Sequence, residues 1–369
     1  MWRYQGVYEL LSKDDRFNCH VVLTVTEDKK AQMVSDLKLL RDFFDSKGIK
    51  YIDYVEEAGY DVKNNIDPDL LFYPQPYENF YPPNHDYTVF KSKLLCYLPY
   101  SVNVVECNYW TSDLPFHNLA WKVFCSSLME KHNAEKVAKN HAQNWVVSGY
   151  PNLDIYLDQE RKDVWKCKDD SKKRLIWAPH FTISKVSWLT PRSNFLWMSQ
   201  LMLDVAEQNK DKIQIAFKPH PRLISELYKH PDWGKDRTDN YYQRWASMDN
   251  TQLETGDFVD LFKSSDAMIH DSASFSAEYL YVNKPVAFVT ADIDELKTTH
   301  SDFGCAALDQ HYIVRDEEDV LAFINDVLLG GADFKEEQRT RFFETVLQPN
   351  VTGTTSQFIV NDIKKSLGL

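Results

Sequence analysis

Residues 257–290 read DFVDLFKSSDAMIHDSASFSAEYLYVNKPVAFVT. Within them an acidic helix start at Asp257 leads to a short apolar strand, Ala267-Met268-Ile269. A polar turn follows, His270-Asp271-Ser272-Ala273-Ser274, and then Glu278 and Lys284-Pro285. A strand that stops in small hydroxyl residues and passes at once into a helix presents unpaired backbone N–H groups, hydroxyls and a positive helix end to whatever sits above it. That is an anion site, and phosphate is the anion it suits. Glu278 lies about one helical turn beyond Ser274, so its carboxylate can face the same ligand and accept from vicinal hydroxyls. Phosphate donors beside a diol acceptor describe a nucleotide. The same strand, turn and helix recur in every parallel α/β sheet, where Ser or Asp does no more than cap the helix, so the reading depends on what surrounds it.

Working outward, the chain alternates amphipathic helices with short apolar strands. Helical spacing covers Trp2 to Leu11 and Lys29 to Lys47. Strands are expected at His20 to Val25, Tyr51 to Tyr54, Leu70 to Tyr73 and Leu94 to Leu98, then a long helix from about Phe116 to Lys139 and a strand at Trp145 to Ser148. Such alternation means a parallel sheet covered by helices on both faces. The chain opens in helical spacing, whereas a doubly wound domain normally opens with a strand; a missed upstream start is expected, ahead of the loss of an edge or central strand. Gly149-Tyr150-Pro151 breaks the pattern, and the charged segment Asp158 to Lys173 reads as a surface connection. A second series follows: a strand at Arg174 to Ala178, a helix at Asn194 to Gln208, a strand at Ile213 to Phe217, the opening turn, Tyr312 to Val314 and closing helices. The expected organisation is therefore two Rossmann-like domains. Residues 1–150 lack their first strand, and residues 151–369 bind the nucleotide and carry the closing helices, with the active site in a cleft between them.

Two further turns end strands of the second series. Lys218-Pro219-His220-Pro221-Arg222 brings three basic groups to the carboxyl edge of the sheet, where open α/β domains bind ligands. Its prolines stiffen the loop that aims His220, which can donate to a leaving phosphate or hold a proton for it. Trp177-Ala178-Pro179-His180-Phe181-Thr182 ends the first strand of the domain, so His180 and Thr182 are candidates to reach a donor's phosphates, although a buried structural histidine is an ordinary alternative. Phosphate and nucleotide contacts are thus expected from His180, Thr182, Lys218, Arg222, His270, Asp271, Ser272, Ser274 and Glu278. In the first domain, Lys122, Lys131, His132, Lys136, Lys139 and His141 give the long helix a basic character that suits an anionic acceptor or membrane surface, or simply solvent. His117 can enter the cleft from that side, or pack as a helix-start residue.

Composition narrows the classes. A chain of 369 residues is too long for one ordinary core. A net charge of −13 argues against a nucleic-acid partner, whose backbone calls for clustered Lys and Arg. The six cysteines contain no C-x-x-C pair and indicate neither a disulfide framework nor a zinc site. No run of about 18 apolar residues occurs and no signal region opens the chain, so a cytoplasmic protein is expected, at most peripheral on the inner face of the membrane. The Asn350-Val351-Thr352 sequon is accordingly taken as chance. Phe72 to Tyr87, rich in Tyr, Phe and Pro, reads as a loop that lines the cleft or touches lipid.

Gly149-Tyr150-Pro151, Trp177-Ala178-Pro179, Phe217-Lys218-Pro219-His220-Pro221, Asp257-Phe258-Val259-Asp260-Leu261-Phe262, Asp271-Ser272-Ala273-Ser274 and Lys284-Pro285 stand in the order and spacing of the CDP-glycerol glycerophosphotransferases of teichoic acid and capsule synthesis, which the chain resembles over about Val146 to Val289. Gly353-Thr354-Thr355-Ser356 echoes that family's final helix. The resemblance implies a two-lobed GT-B fold, a CDP-glycerol or other CDP-activated alditol as donor, a lipid-linked glycan as acceptor, release of CMP, and no cofactor or metal. It implies that His220 meets the donor's phosphates, that Ser272 and Ser274 hold phosphate oxygens and that the first lobe supplies a base. The chain departs from the family where a first-lobe His-Gly-Thr-Pro block is usual: it reads Tyr97-Leu98-Pro99-Tyr100, leaving His117 as the substitute base. His270 to Ser274 and Pro179 to Thr182 also depart from the family's Thr-Asp-Tyr-Ser-Ser and Pro-Thr-Trp-Arg. Asp271-Ser272 with Glu278 resembles, too, the nucleotide site of UDP-N-acetylglucosamine 2-epimerases and related GT-B glycosyltransferases. A nucleotide-sugar glycosyltransferase, an isomerase and a binding subunit without catalysis therefore stand as alternatives.

Overall fold

A computed structural model describes residues 2, 4–24, 30–57, 59–77, 80–99, 101–158, 162–184, 192–349 and 352–369. The start of the helix expected from Lys29, the end of the strand expected at Val25, Tyr100, parts of the aromatic loop and of the charged connection, and the sequon at Asn350 lie outside the described residues. The chain forms two compact units. The first comprises residues 1–102, 107–154 and 347–369; the second comprises 103–106 and 155–346.

In the first unit a helix at Gln5–Ser12 precedes β1 (Val22–Leu23), which pairs in parallel with β2 (Ile52–Asp53). A separate parallel sheet runs β3 (Leu70–Tyr73), β4 (Leu94–Tyr97), β5 (Lys122–Cys125) and β6 (Trp145–Val147), in that order. The long helix expected from Phe116 to Lys139 is instead a short helix (Pro115–Leu119), strand β5 and a second helix (Leu128–Val137). Phe116, Leu119, Ala120, Val123 and Phe124 do repeat at helical spacing, but Val123, Phe124 and Cys125 are buried on both faces of the sheet, as a central parallel strand requires. The break is stabilised by Asn144, whose amide donates to the carbonyls of His117 (2.8 Å) and Ala120 (2.6 Å) at the helix end.

The last helix, Thr355–Leu367, belongs to the first unit, whereas the sequence assigned it to the second. Asp154 holds its start, accepting from the amides of Thr355 (2.7 Å) and Ser356 (2.9 Å). Lys122 pairs with Asp362 at 2.7 Å, and Lys364 with Asp14 at 2.5 Å. Gly6 lets the first helix approach, since any Cβ there would collide with Ser356. Gly149, at φ +88°, makes the turn after β6 in a conformation that L side chains rarely adopt.

The second unit is a six-stranded parallel sheet: β7 (Lys173–Ala178), β8 (Ile213–Phe217), β9 (Thr251–Leu253), β10 (Ala267–His270), β11 (Val286–Val289) and β12 (Tyr312–Val314), ordered β12-β11-β10-β7-β8-β9. This is a doubly wound order whose direction of winding reverses between β7 and β10, and the carboxyl ends of strands at such a reversal are where open α/β sheets bind ligands. Trp177, Phe195, Phe217 and Trp245 stack across one face of the sheet. Truncating any one of them would cost about 3–5 kcal/mol, which makes the strand ends a firm base for their loops. Among the described residues no helix is long and apolar enough to cross a membrane.

Candidate functional site

The loops after β7, β8 and β10 meet at the switch point. Asp271, the first residue after β10, is buried and bridges them: its Oδ1 accepts from the His180 amide at 2.6 Å and its Oδ2 from the Asn194 amide at 2.5 Å. Asn194 also donates through its side chain to Asp271 (3.3 Å) and to the Val289 carbonyl at the end of β11 (3.0 Å). Burial lifts the Asp271 carboxyl to about 6, while these N–H donors pull the other way. Asp271 is thus a strut that fixes the loops, with both oxygens engaged inside the protein.

His180 and His220 stand side by side, ring centroids 5.1 Å apart, with Phe181 against both. The loop carrying His220 is tied to the other by its amide, which donates to the Pro179 carbonyl at 3.0 Å. The Arg222 amide donates to His220 Nδ1 at 3.1 Å, so the neutral ring carries its proton on Nε2. His180 Nδ1 lies 3.0 Å from the Thr182 hydroxyl, which accepts from the Arg192 amide at 3.2 Å. Burial holds His180 down to about 3, and the positive charges of His220, Arg192 and Arg222 add to the effect. His220 is held down to about 4 by burial and then by Arg222, whose guanidinium lies 4.1 Å from the Phe181 ring centre. At neutral pH the pair is therefore uncharged.

Below the turn, His270 is only 1% exposed, and its Nδ1 accepts from the Ser272 amide at 3.2 Å. Its ring packs against Phe288 and His311, so it supports the turn from within the unit. Among the described residues the amides of Ala273, Ser274 and Phe275 and the hydroxyls of Ser272 and Ser274 have no partner. The helix that follows, Phe275–Glu278, is a single turn that continues as a 3₁₀ turn to Val282. Ser274 does not cap it, so the ability to hold an anion rests on the run of free amides more than on a helix dipole. Glu278 closes that turn and is 4% exposed. Lys218 is drawn away from the strand ends: its ammonium donates to the Gly256 carbonyl at 2.8 Å and lies near the Phe258 ring, with its pKa lowered by burial.

The site also contains two residues the sequence did not single out, Arg192 and Asn194. They stand ahead of a helix with no motif around them, and only the fold brings Asn194 to Asp271 and Arg192 to Thr182, with the Arg192 guanidinium donating to the Thr299 hydroxyl at 3.0 Å. His117 lies in the first unit, 1% exposed, where its Nδ1 accepts from the Leu114 amide at 3.2 Å and its ring packs against Tyr97 and Trp145. Burial holds it down to about 4. It completes a helix start within that unit.

This arrangement offers neutral imidazole donors, free amides, hydroxyls and two guanidinium groups at the edge of one sheet, a set suited to a diphosphate. Solved structures with the same fold include a UDP-GlcNAc 2-epimerase from Neisseria meningitidis bound to UDP-GlcNAc (TM-score 0.62, 13% identity, covering 98% of this chain and 96% of that one). They also include S. aureus MnaA with UDP (TM-score 0.59, 15% identity, 100% and 94%) and the wall teichoic acid polymerase TagF (TM-score 0.61, 12% identity, 99% and 85%). These likenesses show a GT-B-like fold. No curated protein sequence matches the chain significantly. Sequence family decides among the fold's many users: residues 104–365 match CDP-Glycerol:Poly(glycerophosphate) glycerophosphotransferase, and the chain, most of which that match spans, belongs to this family of enzymes.

Proposed function

We propose that the protein moves glycerol phosphate, or a similar alditol phosphate, from a CDP-alditol to a hydroxyl of a lipid-linked cell-surface glycan and releases CMP. The observation that carries this reading is the meeting of the loops after β7, β8 and β10, where two neutral imidazoles stand side by side and Asp271 ties the His180 loop to the turn that carries free amides and serine hydroxyls, in a chain of the glycerophosphotransferase family. A TagF structure soaked with CDPG shares the fold (TM-score 0.58, 12% identity, 99% and 85% coverage) and is consistent with a CDP-linked donor.

In the reaction the acceptor oxygen attacks the phosphorus that bears the alditol. The bond from that phosphorus to the bridging oxygen breaks, CMP leaves with the bond's electrons, and the acceptor's proton passes to a base or to solvent. Phosphoryl transfer of this kind needs positioning and charge stabilisation more than covalent chemistry. His220 and His180 donate from Nε2 to phosphate oxygens, and a proton on His220 can follow the charge onto the leaving CMP. The amides of Ala273 to Phe275 and the hydroxyls of Ser272 and Ser274 hold the remaining oxygens, with Arg192 and Arg222 supplying charge. Thr182 orients His180, and Asp271 fixes the loops. Lys218 stays on the Gly256 carbonyl, His270 supports the turn, and Glu278 accepts from the ribose diol. His117, covered in the first unit, has no part in this scheme. The acceptor places the enzyme at the inner membrane face as a peripheral protein in teichoic acid or capsule synthesis.

The test is His220→Ala. Loss of a general acid or base costs about 10²–10⁴-fold in turnover, so CMP release from CDP-glycerol in the presence of a lipid-linked acceptor should fall by at least about a hundredfold with an unchanged melting temperature. A variant that keeps its turnover overturns the mechanism. The fold neighbours that use UDP-sugars keep an isomerase or glycosyltransferase as the second reading, for which uridine selectivity would be the sign.

A further inference from the structure

A cavity of about 410 Å³ opens on the first unit, lined by Tyr109, Asp113, Pro115, Asn118, Lys139 and Asn140. Its floor is built: Asp113, 7% exposed, accepts at Oδ1 from the Lys139 amide (2.7 Å) and from the Asn118 amide group (2.9 Å), and Asn118 in turn accepts from the Asn140 amide at 3.1 Å. Oδ2 of Asp113 has no hydrogen-bond partner among the described residues, nor do the Tyr109 hydroxyl and the Lys139 ammonium at the rim, the last of which attracts the Asp113 carboxylate through its charge. Tyr109 is exposed and sits edge-on to Trp110, itself 65% exposed, so aromatic surface borders the polar floor.

From these groups we infer that the cavity is a saccharide subsite, which takes one pyranose ring of the glycan acceptor. The inference rests on the proposed function for the identity of the ligand's owner, but the chemistry is read from the cavity. A carboxylate held in place through Oδ1, with Oδ2 open to the cavity, calls for a ligand hydroxyl that donates to it, and an adjacent ammonium calls for one that accepts. A phenol ring offers an apolar face to the C–H side of a sugar together with a polar tip. The Asp113 carboxylate and the Lys139 ammonium oppose each other in charge, which suits an uncharged polar ligand better than an anion. Small sites work by such a mixture of a flat apolar wall and a few fixed polar groups. Asn118 and Asn140 position Asp113; they do not themselves reach for the ligand.

The experiment is saturation-transfer NMR on the full chain with methyl glycosides of hexoses and of N-acetylhexosamines, with glycerol 3-phosphate as the anionic comparator. Saturation of ring protons in at least one glycoside is expected, with affinity reduced about tenfold in both Tyr109→Ala and Lys139→Ala, two exposed positions whose replacement leaves the fold intact. CDP-glycerol binding by the same variants should be unchanged. No glycoside response, a response undiminished in both variants, or a stronger response from glycerol 3-phosphate overturns the subsite. The two readings separate cleanly: glycoside saturation that depends on Tyr109, in a protein that does not bind CDP-glycerol, supports the subsite while the donor reading fails. CDP-glycerol binding without any glycoside response removes the subsite alone.

Discussion

Binding of a diphosphate diester should draw about one proton into the site at mildly acid pH. His220 and His180 are held near 4 and 3 in the free protein, so both are neutral above about pH 5.5. A single negative charge about 5 Å from an imidazolium stabilises it by about 3 kcal/mol at an effective dielectric of about 20, a shift of about 2 pK units. Ligand would therefore raise His220 to about 6 and His180 to about 5. Uptake from the pair at about pH 5.5 comes to about one proton, of which His220 supplies about three quarters, and at about pH 7.5 it falls below about a tenth. The sign follows: because the bound state holds more protons, affinity rises as pH falls through the bound-state value, by about fivefold between about pH 7 and 5.5. The assay is calorimetric titration with CDP-glycerol in buffers of different ionisation enthalpy; a diphosphate diester does not itself titrate in this range. Asp271 titrates near 6, and Arg192 and Arg222 both act on His180, so the diagnostic quantity is the difference between wild type and His220→Gln. Equal proton uptake by the two proteins, or affinity that falls as the pH is lowered, would refute the placement of phosphate at His220.

Gly304, in the helix Asp302–Leu308, has no room for a Cβ beside the Val104 carbonyl. Gly304→Ala should therefore destabilise by about 1–3 kcal/mol, although the same change in an open helix stabilises by about 1; a urea midpoint equal to or above wild type would refute it. Asp271→Ala leaves the half-buried His180 and Asn194 amides without an acceptor, at about 1 kcal/mol each, and should lower the urea midpoint and CDP-glycerol affinity together. Since burial lifts the Asp271 carboxyl from its ordinary 3.8 to about 6, its contribution to stability is fully present below the lower value and lost as pH rises through the upper. The corresponding fall in stability should be absent in Asp271→Asn. Arg192→Ala should weaken CDP-glycerol binding by about tenfold or more, as loss of a charge-assisted bond of about 1.5–3 kcal/mol implies; unchanged affinity would remove Arg192 from the site.

Most strands of the second unit were legible because a buried parallel strand is a continuous apolar run that ends in a turn, as Ile213 to Phe217 and Tyr312 to Val314 do. Thr251 to Leu253 at the sheet edge is too short and polar to stand out, and Val286 to Val289 follows Lys284-Pro285 so closely that the sequence pattern does not separate it from the turn. Lys122 to Cys125 failed for a different reason: its apolar residues fit the helical repeat begun at Phe116, and only the partners on either side in the sheet decide otherwise. The loops after β7, β8 and β10 could be located at the strand ends, but the state of their side chains could not. Asp271 bonds to backbone amides far along the chain, Lys218 turns toward Gly256, and His270 lies under the turn. Arg192 and Asn194 carry no local pattern, and the docking of the last helix depends on Asp154, Lys122 and Gly6, contacts of long range that periodicity does not register.

The central claim, a CDP-alditol held at the β7 and β10 strand ends, is tested most directly by titrating the purified chain with CDP-glycerol and with UDP-N-acetylglucosamine, wild type beside Glu278→Ala. Cytidine-selective binding that weakens in the variant is the result the account predicts. Binding selective for the uridine nucleotide would contradict it and assign the site to a UDP-sugar.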